Sequence, residues 1–316
     1  MGIRKVIKSV KPDLVHTHFT TGAFPALLLK KRGIPYWATF HGLGMNASSG
    51  VRKVLFTLVE VFCFLRLNRI FLVNEQDRRL ASRYFGRKSF KYDCLGFGCD
   101  IRKFQRENVP ESVRNELREK YGIRREHCVI AFTGRFVDFK GFHLVVKAFR
   151  VLSTSYPGKY KLILMGGPDP THRTGLDGPE TEFFQNSPDI VPVGFTGHVE
   201  HYLSIADIFL FPSVKEGLPT CILEALSMGV PVISFDARGN SDVINDGHNG
   251  VLLQPVANTQ ENVDRIAAAV ARLEADPDKR EELSRNALDD RPLYSRDRFV
   301  TEHLNYYNDF RRERSV

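Results

Sequence analysis

Two glutamates in a segment that passes from a strand into a helix are the first candidates for chemistry in this sequence. Glu216 stands in a turn after the apolar run 208–211, and Glu224 stands about a turn and a half into a helix predicted at 219–228. Pro219 suits a first helical position. The free N–H groups of that helix start would point into the crevice where open α/β sheets bind ligands. The two carboxylates could bracket one ligand, and the alternative is a capping glutamate plus a solvated one.

Two cations lie in a second turn of the same kind. Arg135 and Lys140 stand between Gly134 and Gly141, where an apolar run gives way to a predicted helix. Such a pair can clamp a diphosphate without a divalent metal, although each could also be an ordinary exposed side chain. Two cations and two carboxylates at strand ends together predict a sugar-diphosphate pocket.

These turns lie in a pattern of short apolar runs alternating with amphipathic stretches, which is typical of parallel α/β sheets. A basic amphipathic helix carrying Ile3, Val6, Ile7 and Val10 comes first. Predicted strands at 13–17, 36–40, 69–73 and 91–97 alternate with helices that include 52–67. A charged connection from about 100 to 126 follows, with one helix near 112–121. The second half has predicted strands at 128–133, 161–165, 191–196, 208–211 and 232–235 and a turn at 246–250.

We therefore predict an α/β protein of two Rossmann-like domains with parallel sheets. The predicted domains are 1–105 and 106–295. A final helix, 296–316, is expected to pack back towards the first domain.

The charge is unevenly distributed along the 316 residues. The net charge is +8, but residues 1–108 carry 20 Lys and Arg against 7 Asp and Glu, a net +13, and the remainder carries 25 against 30. A basic half favours a polyanionic partner, either nucleic acid or an anionic membrane face. No nucleic-acid-binding motif accompanies the charge, so we expect peripheral membrane contact instead.

The other bulk features favour a protein of the cytosol, expected also at the cytoplasmic face of the inner membrane. No apolar stretch is long enough to span a bilayer, and the start shows no export signal. The five cysteines, at scattered spacing, are predicted to be reduced core thiols: Cys63, Cys94, Cys99, Cys128 and Cys221.

In their order along the chain, these segments resemble the retaining glycosyltransferases of family four, which have the GT-B fold. The resemblance covers nearly the whole chain. It is carried by Lys-Pro-Asp-Leu-Val-His-Thr-His at 11–18, Thr-Phe-His-Gly at 39–42, Gly-Arg-Phe-Val-Asp-Phe-Lys-Gly at 134–141, Phe-Thr-Gly-His at 195–198, Ala-Asp-Ile-Phe-Leu-Phe-Pro-Ser at 206–213 and Glu216-x7-Glu224.

The resemblance implies that 1–105 is an incomplete acceptor-side domain and 106–295 the donor-side domain. It also implies a role for each candidate residue. Arg135 and Lys140 would hold the donor diphosphate, Glu216 would contact the donor sugar, and Glu224 would hold the ribose hydroxyls. His41 would line the transfer site in the first domain. The other implied substrate-binding residues are Gly134 in the glycine turn, Gly197, His198 and Val199 near the base, and Gly217, Leu218 and Pro219 facing the sugar.

The implied reaction moves a sugar from a UDP- or GDP-sugar to a saccharide, expected to be lipid-linked, with retention of anomeric configuration. The turn 237–242 is similar to that of enzymes that build cell-surface polysaccharides. Arg135, Lys140 and the helix start would stabilise the departing diphosphate. Neither a metal nor another cofactor is expected. The Asp276-Pro-Asp278 segment lies between two predicted helices and is better explained by capping.

Family members normally have a further strand, a glycine-rich turn and more β-α units before the segment at 11–18. Here Met1 stands only ten residues before it, so we expect a truncated first domain with an exposed sheet edge. Three alternatives remain open: an active enzyme with a mis-assigned start, a chain completed by a partner, and a non-catalytic nucleotide-sugar-binding fragment. A nucleotide-sugar epimerase of the same fold is a further alternative, which the paired glutamates and Arg-x4-Lys disfavour.

Two more features allow two interpretations each. His16 and His18 alternate on a predicted strand and could form a metal pair, but a buried, hydrogen-bonded histidine is the favoured interpretation for both. The apolar helix 52–67, with Arg52, Lys53 and Arg66 near its ends, could lie on a membrane near a lipid-linked acceptor. It could equally be a core helix with solvated basic ends.

Overall fold

The computed structural model describes residues 2–91 and 95–315, which divide into two compact units. The first unit comprises Met1–Phe97, Glu216–Leu218 and Thr301–Val316, and the second comprises Gly98–Lys215 and Pro219–Val300. Each unit contains one parallel sheet with helices around it. The predicted fold class, two Rossmann-like α/β units, is confirmed.

The sheet of the first unit has four parallel strands in sequential order. They are β1 Val15–His18, β2 Tyr36–Phe40, β3 Arg69–Leu72 and β4 Ser89–Lys91. Every residue of β2 is buried, as expected of an inner strand with both faces covered. Within 2–91 and 95–315, β1 pairs with β2 alone, so its other edge has no strand partner there.

Five helices accompany these strands: α1 Ile3–Val10, α2 Phe19–Leu28, α3 Gly44–Ala47, α4 Gly50–Arg66 and α5 Glu75–Phe85. The core they enclose includes Leu27, Phe40, Phe64 and Leu72, each with at most 2% of its surface exposed. The helix α4 contributes only part of its apolar surface to that core, because Cys63 and Phe64 are buried while Leu58 is 65% exposed.

The sheet of the second unit has six parallel strands in the order β10-β9-β8-β5-β6-β7. They are β5 Cys128–Thr133, β6 Tyr160–Met165, β7 Ile190–Gly194, β8 Ile208–Phe211, β9 Val232–Phe235 and β10 Gly250–Leu253. Read from β7, this is the strand order 3-2-1-4-5-6 of dinucleotide-binding folds, and the winding direction reverses between β5 and β8. Ligands of such sheets bind outside the carboxyl ends of the strands at that reversal.

The helices of this unit are α6 Glu111–Lys120, α7 Phe142–Ser155, α8 Gly178–Asn186, α9 Val199–Leu203, α10 Thr220–Ser227, α11 Thr259–Ala275 and α12 Pro277–Asp289. A last helix, α13 Arg296–Ser315, begins in the second unit and has its residues from Thr301 in the first. None of the helices in the described chain has the length and apolar character needed to cross a bilayer.

Several predicted boundaries are wrong. The strand predicted at 91–97 is Ser89–Lys91; residues 92–94, including Cys94, lie outside the described part, and 95–97 form a bend and turn. The predicted turn at 246–250 leads directly into β10, a strand too short to show periodicity. Helix α8 was missed because its sequence, GPETEFFQN, is polar and carries Pro179 in its first turn.

Candidate donor-binding site

The carboxyl ends of β5 and β8 carry two loops that hydrogen-bond to each other. Ser213 Oγ and Val214 N both donate to the carbonyl oxygen of Phe139, at 3.1 and 3.2 Å. Gly141 ends the loop after β5 with φ +76°, and a Cβ there would collide with the carbonyl oxygen of Pro212. A glycine is therefore required where the two loops meet.

A third loop, after β9, supports the one after β8. The fully buried Asn240 donates from Nδ2 to the carbonyl oxygens of Ser213, at 2.8 Å, and Phe235, at 3.1 Å. Asn240 belongs to the Gly-Asn turn that the sequence singled out. Its amide fixes the spacing between neighbouring strand ends, a role that the turn composition alone did not reveal.

The two predicted diphosphate-binding cations lie in the loop after β5. Arg135, whose side chain is 47% exposed, forms an ion pair with Asp169 and lies 5.5 Å from the ring of Phe139. Lys140 has its ammonium 5.5 Å from the ring of Phe211. Hydrogen bonds from Thr171, followed by that from Arg135, hold the pKa of Asp169 well below its usual range. The guanidinium is thus oriented by an ionised carboxylate that the sequence did not identify.

Glu224 lies on α10 within a cluster of charged groups. Burial raises its pKa to about 7, with the positive charges of Lys103 and Arg296 opposing the shift and Glu200 adding to it. Lys103 contacts Glu200 Oε2 at 3.2 Å and donates to the carbonyl oxygen of Gly197 at 2.7 Å. Lys103 therefore connects the predicted base-binding segment with the acidic cluster near Glu224.

Helix α9 begins at Val199, directly after His198, and its first residues include Glu200 and His201. Potential ligand atoms of His198, Glu200 and His201 lie within 4.8 Å of one another. The two imidazoles are stacked with 17° between their planes, and Glu200 already pairs with Lys103. We therefore interpret the group as an ion-pair cluster, which was not foreseen because Glu200 and Lys103 are 97 residues apart.

In the first unit, His41 follows β2 and is held by neighbouring rings. It stacks on Phe19 at 4.0 Å and on Phe97 at 4.7 Å between ring centroids, and its Nε2 lies 3.0 Å from Nδ1 of His18. Burial, followed by the charge of His18, lowers the pKa of His41 to about 4. The imidazole is therefore neutral at pH 7. Phe19 adopts the left-handed conformation, with φ +62°, and such strain persists where the surrounding structure enforces it.

Two buried carboxylates order the loop that follows His41. Glu60 accepts hydrogen bonds from the backbone N–H groups of Gly44 and Met45, at 2.7 and 3.0 Å. Asp77 accepts from the N–H of Leu43 at 2.9 Å. Both side chains are fully buried. A buried acid within the apolar run of α4 was the available sequence signal for this role.

Glu216, Gly217 and Leu218 group with the first unit rather than with the strands that flank them in sequence. Within that unit, Gly217 lies so close to the carbonyl oxygen of His41 that a Cβ could not be accommodated. Glu216 is 7% exposed. The second unit holds the other predicted substrate-binding residues: Gly134, Arg135, Lys140, Gly197, His198, Val199, Pro219 and Glu224.

The remaining predictions have mixed outcomes. His16 is hydrogen-bonded as predicted, to Tyr307 and Thr39, but it is half-buried rather than buried. The prediction that His18 is buried is wrong, because β1 is an edge strand and its last residue is exposed. Asp276 caps α12 by accepting from the N–H of Lys279, as predicted. Cys63, Cys99 and Cys128 are buried free thiols, and Cys221 is half-buried.

Two Rossmann-like units, the second with loops at its switch point, define a GT-B glycosyltransferase fold. The structure superposes on HepE of Anabaena, solved in complex with UDP, with a TM-score of 0.77 and 17% identity over 96% of this chain and 81% of that one. A model of glycosyl transferases group 1 matches residues 113–290, and a glycosyl transferase 4-like domain matches 1–91. The chain belongs to the glycosyl transferases group 1 family.

The relatives of this chain include bacterial glycosyltransferases. The chain is 28% identical to the putative teichuronic acid biosynthesis glycosyltransferase TuaC of Bacillus subtilis, over 85% of this chain and 64% of that protein. It is 23% identical to the UDP-Gal:α-D-GlcNAc-diphosphoundecaprenol α-1,3-galactosyltransferase of Escherichia coli, over 80% and 65%. The chain spans just under two thirds of the length of these relatives.

Proposed function

We propose that this chain transfers a sugar from a nucleoside-diphosphate sugar to a lipid-linked saccharide, with retention of anomeric configuration. The observation that carries the proposal is the pair of hydrogen-bonded loops at the switch point of the second unit. One loop brings Arg135 and Lys140, and the other leads through Pro219 into α10, which carries Glu224. Cations for a diphosphate and a carboxylate for ribose hydroxyls thus belong to adjacent strand ends.

Each group has a chemical task in this proposal. Arg135, Lys140 and the N-terminus of α10 stabilise the negative charge that develops on the diphosphate as it leaves. Because these groups supply the positive charge, the proposal includes no divalent metal. Glu216 contacts the donor sugar and Glu224 accepts hydrogen bonds from the ribose. The neutral imidazole of His41 is assigned to the transfer site, and the departing phosphate takes the proton of the acceptor hydroxyl, which attacks the same face of the sugar.

The acceptor class is proposed from the relatives. The Escherichia coli relative acts, by its name, on a sugar linked to diphosphoundecaprenol, and the Bacillus subtilis relative belongs to teichuronic acid biosynthesis. A lipid-linked saccharide in cell-surface polysaccharide synthesis is therefore the acceptor we propose, with transfer at the cytoplasmic face of the membrane.

Isothermal titration of the purified chain with UDP, GDP and their sugar conjugates tests the donor site. We expect one nucleotide to bind, and Arg135→Ala and Glu224→Ala each to weaken binding roughly ten-fold or more, since each removes a charge-assisted hydrogen bond. The matched control is Arg285→Ala, an exposed arginine on α12, which should leave the affinity unchanged.

Turnover with the nucleotide sugar so identified then separates the enzyme from a binding fragment. Transfer to a lipid-linked acceptor, with the anomeric configuration of the product read by NMR, supports the full proposal. Binding without transfer supports the non-catalytic alternative. A folded chain that binds no nucleotide, or whose binding ignores both substitutions, contradicts the donor site.

A further inference from the structure

One helix of the first unit has an apolar face that is exposed in the described part of the chain. On α4, Glu60, Cys63 and Phe64 are buried against the unit. The opposite side presents six apolar side chains, between 36% and 87% exposed, which are Val51, Val54, Leu55, Leu58, Val61 and Leu65. Their spacing of three and four residues puts them in one stripe about 21 Å long. The interpretation of this segment as a core helix is thus wrong for this face, and an exposed apolar patch of this extent marks an interaction surface.

The charge around the stripe selects the partner. Arg52 and Lys53 near the start of α4, and Arg66 at its end, are exposed. Residues 1–70 contain eleven Lys and Arg but two acidic residues, Asp13 and Glu60. Glu60 is buried, and Asp13 lies 3.4 Å from Arg314. Arg52, Lys53 and Arg66 therefore place positive charge at both ends of the apolar stripe.

A second basic and apolar element continues the surface at the C-terminal end of α4. The rings of Phe24 on α2 and Phe62 on α4 lie 5.5 Å apart, and Lys30 donates to the carbonyl oxygen of Arg66 at 2.6 Å. Leu28 and Leu29, at the end of α2, are 58% and 42% exposed. Lys30, Lys31 and Arg32 follow directly. Apolar and basic groups thus alternate on neighbouring elements, as in helices that lie in a membrane interface.

We propose that this surface, defined as the exposed face of α4 with residues 28–32, docks on an anionic lipid bilayer. The leucines and valines enter the boundary between headgroups and acyl chains, and the basic side chains contact lipid phosphates. A second copy of the chain is a poorer occupant, because it would oppose two basic surfaces. The inference rests on the proposed function for the membrane location and adds the surface that binds the bilayer, which shares no residue with the proposed donor site.

Co-sedimentation with vesicles tests the docking surface. We expect the full chain to bind phosphatidylcholine vesicles that contain phosphatidylglycerol, more weakly at high salt, and to bind pure phosphatidylcholine poorly. The double variant Leu55→Ser and Leu58→Ser should reduce partitioning roughly ten-fold or more, because both side chains would leave the bilayer. The two residues are 61% and 65% exposed, so the core is unaffected. Tyr156→Ser, at an exposed apolar residue of the second unit, is the matched control.

The charge contribution has its own pair of variants. Arg52→Glu should weaken binding to the anionic vesicles several-fold, whereas Arg285→Glu, another exposed helical arginine, should not. Equal binding by wild type and the double leucine variant would overturn the proposal. A chain that binds no vesicles but self-associates without lipid would also overturn it, if the leucine substitutions abolish that self-association. Sedimentation velocity measures the self-association.

Failure of this inference is distinguishable from failure of the proposed donor site. Arg135→Ala should weaken nucleotide binding and keep vesicle binding, and the double leucine variant should weaken vesicle binding and keep nucleotide binding. Titration of both variants with nucleotide and with vesicles therefore assigns any negative result to one surface.

Discussion

At the scale of single residues, Glu224 is the group whose charge should control donor binding. Its carboxyl is largely removed from water, and burial raises its pKa to about 7 despite Lys103 and Arg296. Because the pKa of Glu224 is raised in the folded chain, its ionisation lowers the free energy of unfolding as pH rises from about 4.5 to about 7. Hydroxyl groups of a bound ribose would stabilise the ionised form.

Donor affinity should therefore depend on pH around neutrality. We expect the dissociation constant of the nucleotide sugar to rise about ten-fold between pH 8 and pH 6, because protonated Glu224 must release its proton before it accepts two hydroxyl donors. Calorimetric titration across this range measures the effect. Glu224→Gln should bind more weakly at pH 8 and lack the dependence; a Gln variant that retains it would assign the titration to another group.

At the scale of elements, two glycines have left-handed backbones, but only one of them is closely packed. Comparing them separates the free-energy cost of a left-handed backbone from the cost of a steric clash. Gly141 and Gly158 have similar φ values, +76° and +70°. A Cβ on Gly158 would meet no atom within 4 Å, whereas one on Gly141 would meet the carbonyl group of Pro212. The loops after β5 and β8 can approach each other only because residue 141 has no side chain.

Substitution by alanine should distinguish these positions. Gly158→Ala should lower the free energy of unfolding by about 1 kcal/mol, the cost of the left-handed conformation alone. Gly141→Ala should cost at least about 2 kcal/mol and also weaken nucleotide binding, because the loop that holds Lys140 must move. Urea unfolding and nucleotide titration of both variants measure the difference. Equal losses would mean that the contact with Pro212 is easily relieved.

The sequence predicts an element well when the residues that determine it are neighbours in the chain. Strands β2, β5, β8 and β9 were predicted with their bounds because each is a mainly apolar run. Helix α8 was missed because it is polar, and strand β10 was missed because it begins with the glycine that ends a predicted turn. Arg135 was identified from its turn, but its partner Asp169 was not, and neither was the pairing of Lys103 with Glu200 near Glu224. Those pairings depend on the folding back of distant segments, which no local pattern encodes.

At the scale of the whole molecule, the first unit depends on the last residues of the chain. Trp37, 2% exposed, lies between the ring of Tyr307, at 5.7 Å, and the guanidinium of Arg69, at 4.7 Å. The ring of His16 stacks on that of His303, with 5.3 Å between centroids, and forms a hydrogen bond with the hydroxyl of Tyr307. Burial and the neighbouring histidines lower the pKa of His16 to about 3, and burial lowers that of His303.

The first unit should therefore be sensitive to acid. A base with a lowered pKa contributes stability that is complete above about 6.5 and is lost as pH falls towards the folded-state pKa. For His16 the loss is about 2 kcal/mol by pH 5. Trp37 is the single tryptophan, so its fluorescence during urea unfolding at pH 8 and pH 5 reports the first unit.

His16→Gln should reduce this pH dependence by about 2 kcal/mol while lowering stability at pH 8 through lost stacking. His248→Gln, in the second unit, is the matched control and should leave the Trp37 transition unchanged. If the His16 variant loses as much stability as wild type between pH 8 and pH 5, the acid sensitivity arises elsewhere.

The return of residues 301–316 to the first unit also has a consequence for biosynthesis. The first unit is made first, yet the face of β2 and β3 that bears Trp37 and Phe71 contacts Tyr306 and Tyr307 of α13. That face is not covered until α13 has been made, which in the order of the chain comes after the second unit. Until then the nascent first unit exposes an aromatic surface of the kind that chaperones bind.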